Sequence, residues 1–212
     1  MAGCKVIGIF GGVGSGKSLA TEYLKTEYHA YVIHADDIAH RLYRKGQPGY
    51  KAVIRICKKS ILDADGEIDR NKLANLLYSD RELIKKINAA IHPLVYKKTD
   101  EMILNYKKNH NNGLIAYEAA VISGIRAGFI DESWYIYTPK DERRKRLADT
   151  RGYSIKRIDE IMSNQPDDDE YREFCDKVIV NDGNIEKMEE QIDEIIKHSQ
   201  WQQRKLHIYR IG

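Results

Sequence analysis

The chain has 212 residues, with 35 Lys+Arg against 32 Asp+Glu and a formal charge of +3. That length suits one domain with sizeable insertions, and it buries enough surface to need no disulfide or metal staple. A 42% hydrophobic, 32% charged composition excludes wholesale disorder; no apolar run approaches the ~18 residues of a membrane helix, and the mild charge argues against a nucleic-acid partner.

The opening MAGCKVIGIF carries no basic region leading into a long apolar run, so no signal peptide is expected. Cys4, Cys57 and Cys175 are far apart and form no C-x-x-C pair, which fits a reducing cytoplasm. Lys5 to Phe10 reads as a first strand, ending in Gly11-Gly12. A helix is expected from near Gly16 through Leu24, then a short strand at Tyr31 to Ile33, closed by His34-Ala35-Asp36-Asp37. From Asp36 to about Leu77 the pattern is mostly helical, broken at Gly46-Gln47-Pro48-Gly49 and at Asp63-Ala64-Asp65-Gly66. Two further helices are expected between Asp80 and Lys108, divided at His92-Pro93 because proline suits a helix start better than an interior.

After Gly113 the apolar runs Leu114–Tyr117 and Trp134–Tyr137 read as buried strands. Thr138-Pro139 predicts a helix start with the hydroxyl at the N-cap and proline at the first helical position. Ser154 predicts the cap of the next helix, Val178–Val180 a last strand, and Asn184 to His198 a last helix with Ile185, Met188, Ile192 and Ile195-Ile196 on one face. Short apolar strands alternating with helices predict an α/β fold around a mostly parallel sheet, with a helical insertion forming a subdomain.

Gly11-Gly12-Val13-Gly14-Ser15-Gly16-Lys17-Ser18 matches G-x-x-x-x-G-K-[ST], the phosphate-binding P-loop, in its required place between a strand and a helix. The glycines let backbone N–H groups converge on phosphate oxygens, and the following helix offers its positive dipole end. Lys17 is a point charge for the β- and γ-phosphates, and the Ser18 hydroxyl is a ligand for Mg²⁺. There is no N-K-x-D guanine motif, and Asp63-Ala64-Asp65-Gly66, a D-x-x-G match, sits between helices and reads as a turn. A short chain with helical insertions favours the small-molecule kinases.

Asp36 lies just past the second strand, where ligands of α/β sheets gather. A carboxylate there suits a general base for an acceptor hydroxyl; an Asp pair after a strand is equally read as a helix cap. Glu118, after the Leu114–Tyr117 strand, suits a water-mediated hold on Mg²⁺ or a turn cap. Arg143 to Arg146 read RRKR, either charge stabilisation beside the site or a solvated face paired with Asp141, Glu142 and Asp149. His92 reads as packing at a helix start rather than as an acid–base group.

Gly8-Ile9-Phe10 with the P-loop resembles the dephospho-coenzyme A kinases, as do Val32-Ile33-His34-Ala35-Asp36, Ile38-Ala39-His40, Gly46-Gln47-Pro48-Gly49, Asp65-Gly66-Glu67-Ile68-Asp69-Arg70, Leu73-Ala74 and Ile91-His92-Pro93-Leu94-Val95. Arg146-Leu147, Arg151-Gly152-Tyr153-Ser154, Gln165 and Val178-Ile179-Val180-Asn181 continue the match in order. The resemblance implies an α/β P-loop kinase with a parallel sheet core (1–45, 113–138 and 174–200), a helical substrate subdomain (46–112) and a lid (139–173), with 201–212 unassigned. It implies transfer of the ATP γ-phosphoryl to the 3′-hydroxyl of dephospho-CoA with Mg²⁺. Gly12, Val13, Gly14, Ser15, Gly16 and Lys17 would hold ATP phosphates, Ser18 and Glu118 the metal side, and Asp36 would be the base. A lid arginine, Arg146 or Arg151, would reach the transferring group. The chain departs from the family pattern at His34, at Gly124, where a second Glu is common, and in the Arg146–Arg151 spacing, one residue longer than usual. A related nucleoside or nucleotide kinase and a nucleotide-binding module without turnover are the alternatives. A cytoplasmic monomer or small homo-oligomer is expected.

Overall fold

A computed structural model of the chain describes residues 3–78, 80–120, 122 and 127–199. The departure at Gly124 and the unassigned tail 201–212 lie outside the described residues. Five strands, β1 (Lys5–Phe10), β2 (Tyr31–His34), β3 (Leu114–Ala119), β4 (Glu132–Tyr137) and β5 (Lys177–Val180), form one sheet in the order β2-β3-β1-β4-β5. β1 pairs in parallel with β3 and β4, and β4 with β5; Phe10 faces Ala119 on one side and Tyr135 on the other. The central strand is buried from Val6 to Phe10, which is why it reads as an apolar run with no alternation. Helices α1 (Lys17–Tyr28) and α9 (Ile185–His198) cover the sheet through Leu24, Met188, Ile192 and Ile196, packed against Ile7, Ile9, Trp134 and Ile136. Asn184 caps α9, accepting from the Lys187 N–H. Ile185, expected on the buried face, is 48% exposed because it occupies the first position of that helix.

The chain divides into two compact units, one spanning Met1–Ile33 and the chain from Leu104 onward, the other His34–Ile103. The second holds α2 (Ala35–Leu42), α3 (Pro48–Cys57), a 3-10 turn (Lys58–Ile61), α4 (Arg70–Tyr78) and most of α5 (Arg81–Asn109). This unit begins at His34, earlier than the subdomain boundary expected at 46, so it takes in Asp36. The D-x-x-G segment is a turn: the Asp63 carboxylate accepts from the Asp65 and Glu67 N–H groups, and Gly66 closes it at φ 76°. The expected break at His92-Pro93 does not occur; α5 runs through as one helix of 29 residues. Ile87, Ile91, Val95, Thr99 and Ile103 form a buried stripe at four-residue spacing across the proline. Continuous burial of one face outweighs the single hydrogen bond that proline removes.

The 139–173 region forms α6 (Lys140–Arg151), α7 (Ile155–Ser163) and α8 (Asp168–Phe174). Ser154 caps α7 as predicted, accepting from the Arg157 N–H. Thr138 does not cap α6: Pro139 holds the N-cap position, and the Thr138 hydroxyl turns inward to the Ser15 and Asn181 carbonyls, 2.9 Å from each. α8 was not expected, although its capping box, Asp167 with Glu170, is a sequence-level signal. It is fixed to the sheet by Tyr171, fully buried, whose hydroxyl donates to the Ala120 carbonyl at 2.5 Å. Ile192→Ala should cost about 2–5 kcal/mol of unfolding free energy in a urea titration, whereas Ile155→Ala, at a position 73% exposed, should stay within about 0.5 kcal/mol.

Candidate active site

Residues 11–18 leave β1 at its carboxyl end and wrap into α1. Gly14 (φ 78°) and Gly16 (φ 91°) take left-handed backbone that other residues resist. Gly16 is also the N-cap of α1, and the helix places no acidic residue of its own in its first turn, the end that attracts anions. The Lys17 ammonium is buried and donates to the Gly11 and Gly12 carbonyls at 2.9 and 3.2 Å, folded back across the loop. Asn181, just past β5, donates through Nδ2 to the Ser15 carbonyl at 2.8 Å, beside the Thr138 hydroxyl.

Ser18 and Glu118, predicted for the metal side, meet here. The Ser18 hydroxyl donates to Glu118 Oε1 and the Thr21 hydroxyl to Oε2, each at 3.2 Å. Glu118 lies within β3, opposite Ile9 of β1, so it caps no turn; the strand register delivers its carboxylate to the first turns of α1. These are hard oxygen donors of the kind Mg²⁺ takes, as one or two protein groups alongside phosphates and water. Among the described residues no cluster of three or more His, Cys, Asp or Glu forms a separate metal cage.

The RRKR run divides by helical period. Arg143 and Arg146, three apart, share the face of α6 turned to the loop. Arg143, 6% exposed, donates from Nε to the Val13 carbonyl at 3.0 Å and from a terminal nitrogen to Gln165 Oε1 at 3.4 Å. Arg146 donates to the Gly14 carbonyl at 3.3 Å and to Asn181 Oδ1 at 3.4 Å. Arg144 takes the solvated role instead, paired with Asp141 and Asp159. Arg151 is exposed at the last residue of α6 and makes none of these loop contacts. Sequence reasoning gave no role to Thr21, Gln165 or Asn181. Gln165 and Asn181 stood in the family match, but only tertiary contact shows what they hold.

Asp36 belongs to the helical unit. The N-cap of α2 is His34, without a side-chain cap bond, and Asp36 and Asp37 occupy the first turn, both exposed. Neither acid is therefore the cap that the Asp pair suggested. Within this unit burial, with the Asp36 charge as the next cause, pushes the Tyr43 phenol up to about 12. His92 is half-buried with its ring beside Tyr96, and burial lowers its pKa, as fits a packed, neutral imidazole.

Gly16 tests whether the loop geometry is needed. A Cβ there would lie 2.1 Å from Asn181 Nδ2 and would have to sit at φ 91°. Gly16→Ala should therefore weaken ATP binding at least tenfold in a calorimetric titration while the far-ultraviolet dichroism stays that of the parent, because strain of about 1–3 kcal/mol falls on the loop.

A family model described as dephospho-CoA kinase matches residues 5–187, a span that takes in both units. Dephospho-CoA kinase from Carboxydothermus hydrogenoformans is 32% identical over 197 residues, covering 92% of this chain and 95% of that protein. The enzyme of the same name from Aquifex aeolicus is 32% identical over 193 residues, covering 90% and 95%. Among solved structures, TT1252 from Thermus thermophilus superposes with a TM-score of 0.73 at 23% identity, covering 92% of this chain and 97% of the other. Dephospho-CoA kinase from Campylobacter jejuni gives 0.55 at 21%, covering 92% and 96%; at these identities the two structures speak for the fold. With a match that runs from β1 into α9 and relatives aligned over nine-tenths of its length, the chain belongs to the dephospho-CoA kinase family.

Proposed function

We propose that this protein transfers the γ-phosphoryl group of ATP to the 3′-hydroxyl of dephospho-CoA. The observation that carries the reading is the meeting of Lys17, Ser18 and Glu118 at the carboxyl ends of β1 and β3, on a loop preset by glycines, in a chain of this family. Phosphoryl transfer asks for positioning and charge stabilisation more than for covalent help from the protein. Lys17 would hold the β- and γ-phosphates, with the Gly12–Gly16 backbone around them. Ser18 and Glu118 would hold Mg²⁺, which supplies charge neutralisation on the phosphates. Arg146 is the lid arginine in this reading, favoured over Arg151 by its contacts at Gly14 and Asn181. Asp36 would accept the proton of the acceptor hydroxyl.

The helical unit offers support for the acceptor. It contains a cleft of about 450 Å³ in which Arg41, Arg44, Lys97 and Lys98, the last paired with Glu101, flank apolar side chains that include Ile38 and Leu94. Cations beside an apolar floor suit a substrate that joins a pyrophosphate to an extended, weakly polar arm. A cytoplasmic location belongs to the same proposal, and Cys4, Cys57 and Cys175 stand as thiols, as a reducing compartment keeps them.

Coupled ADP-release assays with a panel of acceptors test the whole reading. Dephospho-CoA should be turned over and free nucleosides and nucleotides should not; preference for any other acceptor, or ATP binding without turnover, would refute it. Lys17→Ala should lower kcat by about 10²–10³-fold. Asp36→Asn should lower it by about 10²–10⁴-fold with ATP affinity and melting temperature unchanged. Arg146→Ala should lose about 10²–10³-fold and Arg151→Ala only a few-fold; two mild and identical losses would take the lid role from both.

A further inference from the structure

Val13 is the loop residue with the most external hardware around it. Its N–H donates to Gln165 Oε1 at 2.8 Å and its carbonyl accepts from Arg143 Nε at 3.0 Å. The same Gln165 oxygen takes a second hydrogen bond from Arg143, at 3.4 Å, so the three groups close a ring around one residue. The side chain of Val13 packs on Leu147, Ile158 and Met162 of α6 and α7. Over the preceding residue the guanidinium lies so close that a Cβ on Gly12 would sit 2.1 Å from it. Arg143 is buried and, among the described residues, forms no ion pair with a carboxylate. A buried cation usually has an acidic partner, so this one is held for what it does to the loop.

We propose that Arg143 is a positioning residue for the nucleotide: with Gln165 it clamps the Val13 peptide groups and so presets the loop backbone that receives phosphate. The proposal rests on the reading of residues 11–18 as the ATP site. The fork of the guanidinium is essential to it, because Nε and a terminal nitrogen reach two different acceptors at once. A lysine supplies the charge but not the fork. Neither side chain touches substrate in this assignment; both act through Val13. Releasing the clamp lets the loop sample other shapes, and the cost appears when ATP has to order it again.

The test uses the full chain and its Arg143→Gln, Arg143→Lys, Gln165→Ala and Arg143→Gln/Gln165→Ala variants. ATP affinity is measured by calorimetry without acceptor, and kcat and both KM values are measured by the coupled assay. Each single variant should weaken ATP binding and raise the KM for ATP about tenfold, the equivalent of one hydrogen bond to a charged group. The KM for the acceptor should stay within twofold. Arg143→Lys should be as weak as Arg143→Gln, and the double variant no weaker than the worse single one, because both residues act on the same peptide. Parental affinity in Arg143→Lys would assign the effect to charge and overturn the clamp, as would additive losses. Should Arg143→Gln fail to fold, Gln165→Ala carries the decision, since it removes the shared acceptor and leaves the buried arginine in place. A parent chain that binds no ATP would sink the loop reading itself; a parent that binds ATP as tightly as the folded single variants would sink only the clamp.

Discussion

The glycines that let residues 11–18 wrap a phosphate also strip the loop of side chains that would hold its shape. Two of them, Gly14 and Gly16, sit in left-handed backbone, and glycine loses more freedom on folding than any other residue. The shape has to be imposed from outside, and the contacts show how. Ser15 is held through its carbonyl by Asn181 and Thr138, Val13 through both peptide groups by Gln165 and Arg143, Gly14 by Arg146, and Gly11 and Gly12 by Lys17. Three successive residues of the loop, Val13, Gly14 and Ser15, answer to side chains from other parts of the chain, and Lys17 of the loop itself holds the two before them.

Those side chains come from widely separated segments, and the sheet order explains how they arrive together. β1 is flanked by β3 and β4, and β5 follows β4. Parallel pairing places the carboxyl ends of all these strands on one edge. Glu118 near the end of β3, Thr138 after β4 and Asn181 after β5 are therefore neighbours of the loop by register. Burial of the strands by Leu24, Trp134, Met188 and Ile192 thus serves the site directly. It fixes the edge from which the loop is held.

What was legible in the sequence follows the same division. The P-loop, the strands and Ser154 are local signals, carried by motifs and short apolar runs; Ser18 and Glu118 were each legible as oxygen donors, but that the strand register brings them together shows only in the fold. The turn at Asp63–Gly66 was legible too, because Asp and Gly encode it within a few residues. The break at His92-Pro93 was misread because the local rule for proline competes with a long-range one: the stripe from Ile87 to Ile103 buries whether or not one hydrogen bond is missing. Thr138 looked like a cap for the same reason, until two buried carbonyls claimed its hydroxyl. The clamp of Arg143 and Gln165 was invisible because those residues are 22 apart and are brought together with Val13 only by the packing of α6 and α7 on the loop.

Under the proposed function the two units divide the chemistry in a way that bears on how such a protein acquires an acceptor. Everything described around residues 11–18 deals with phosphate, charge and backbone shape, none of which distinguishes one acceptor alcohol from another. Discrimination between acceptors must arise where a substrate's remaining atoms are bound, and remote binding energy of that kind raises turnover by ordering the reacting groups. The cleft formed by Arg41, Arg44, Lys97 and Lys98 over apolar residues lies entirely within His34–Ile103. If that cleft holds the acceptor, as proposed, substitutions in it change the acceptor and leave the contacts of the loop as they are. On the same reading, substitutions at Arg143, Gln165 or Asn181 act on every acceptor alike, because the phosphoryl donor is common to all of them.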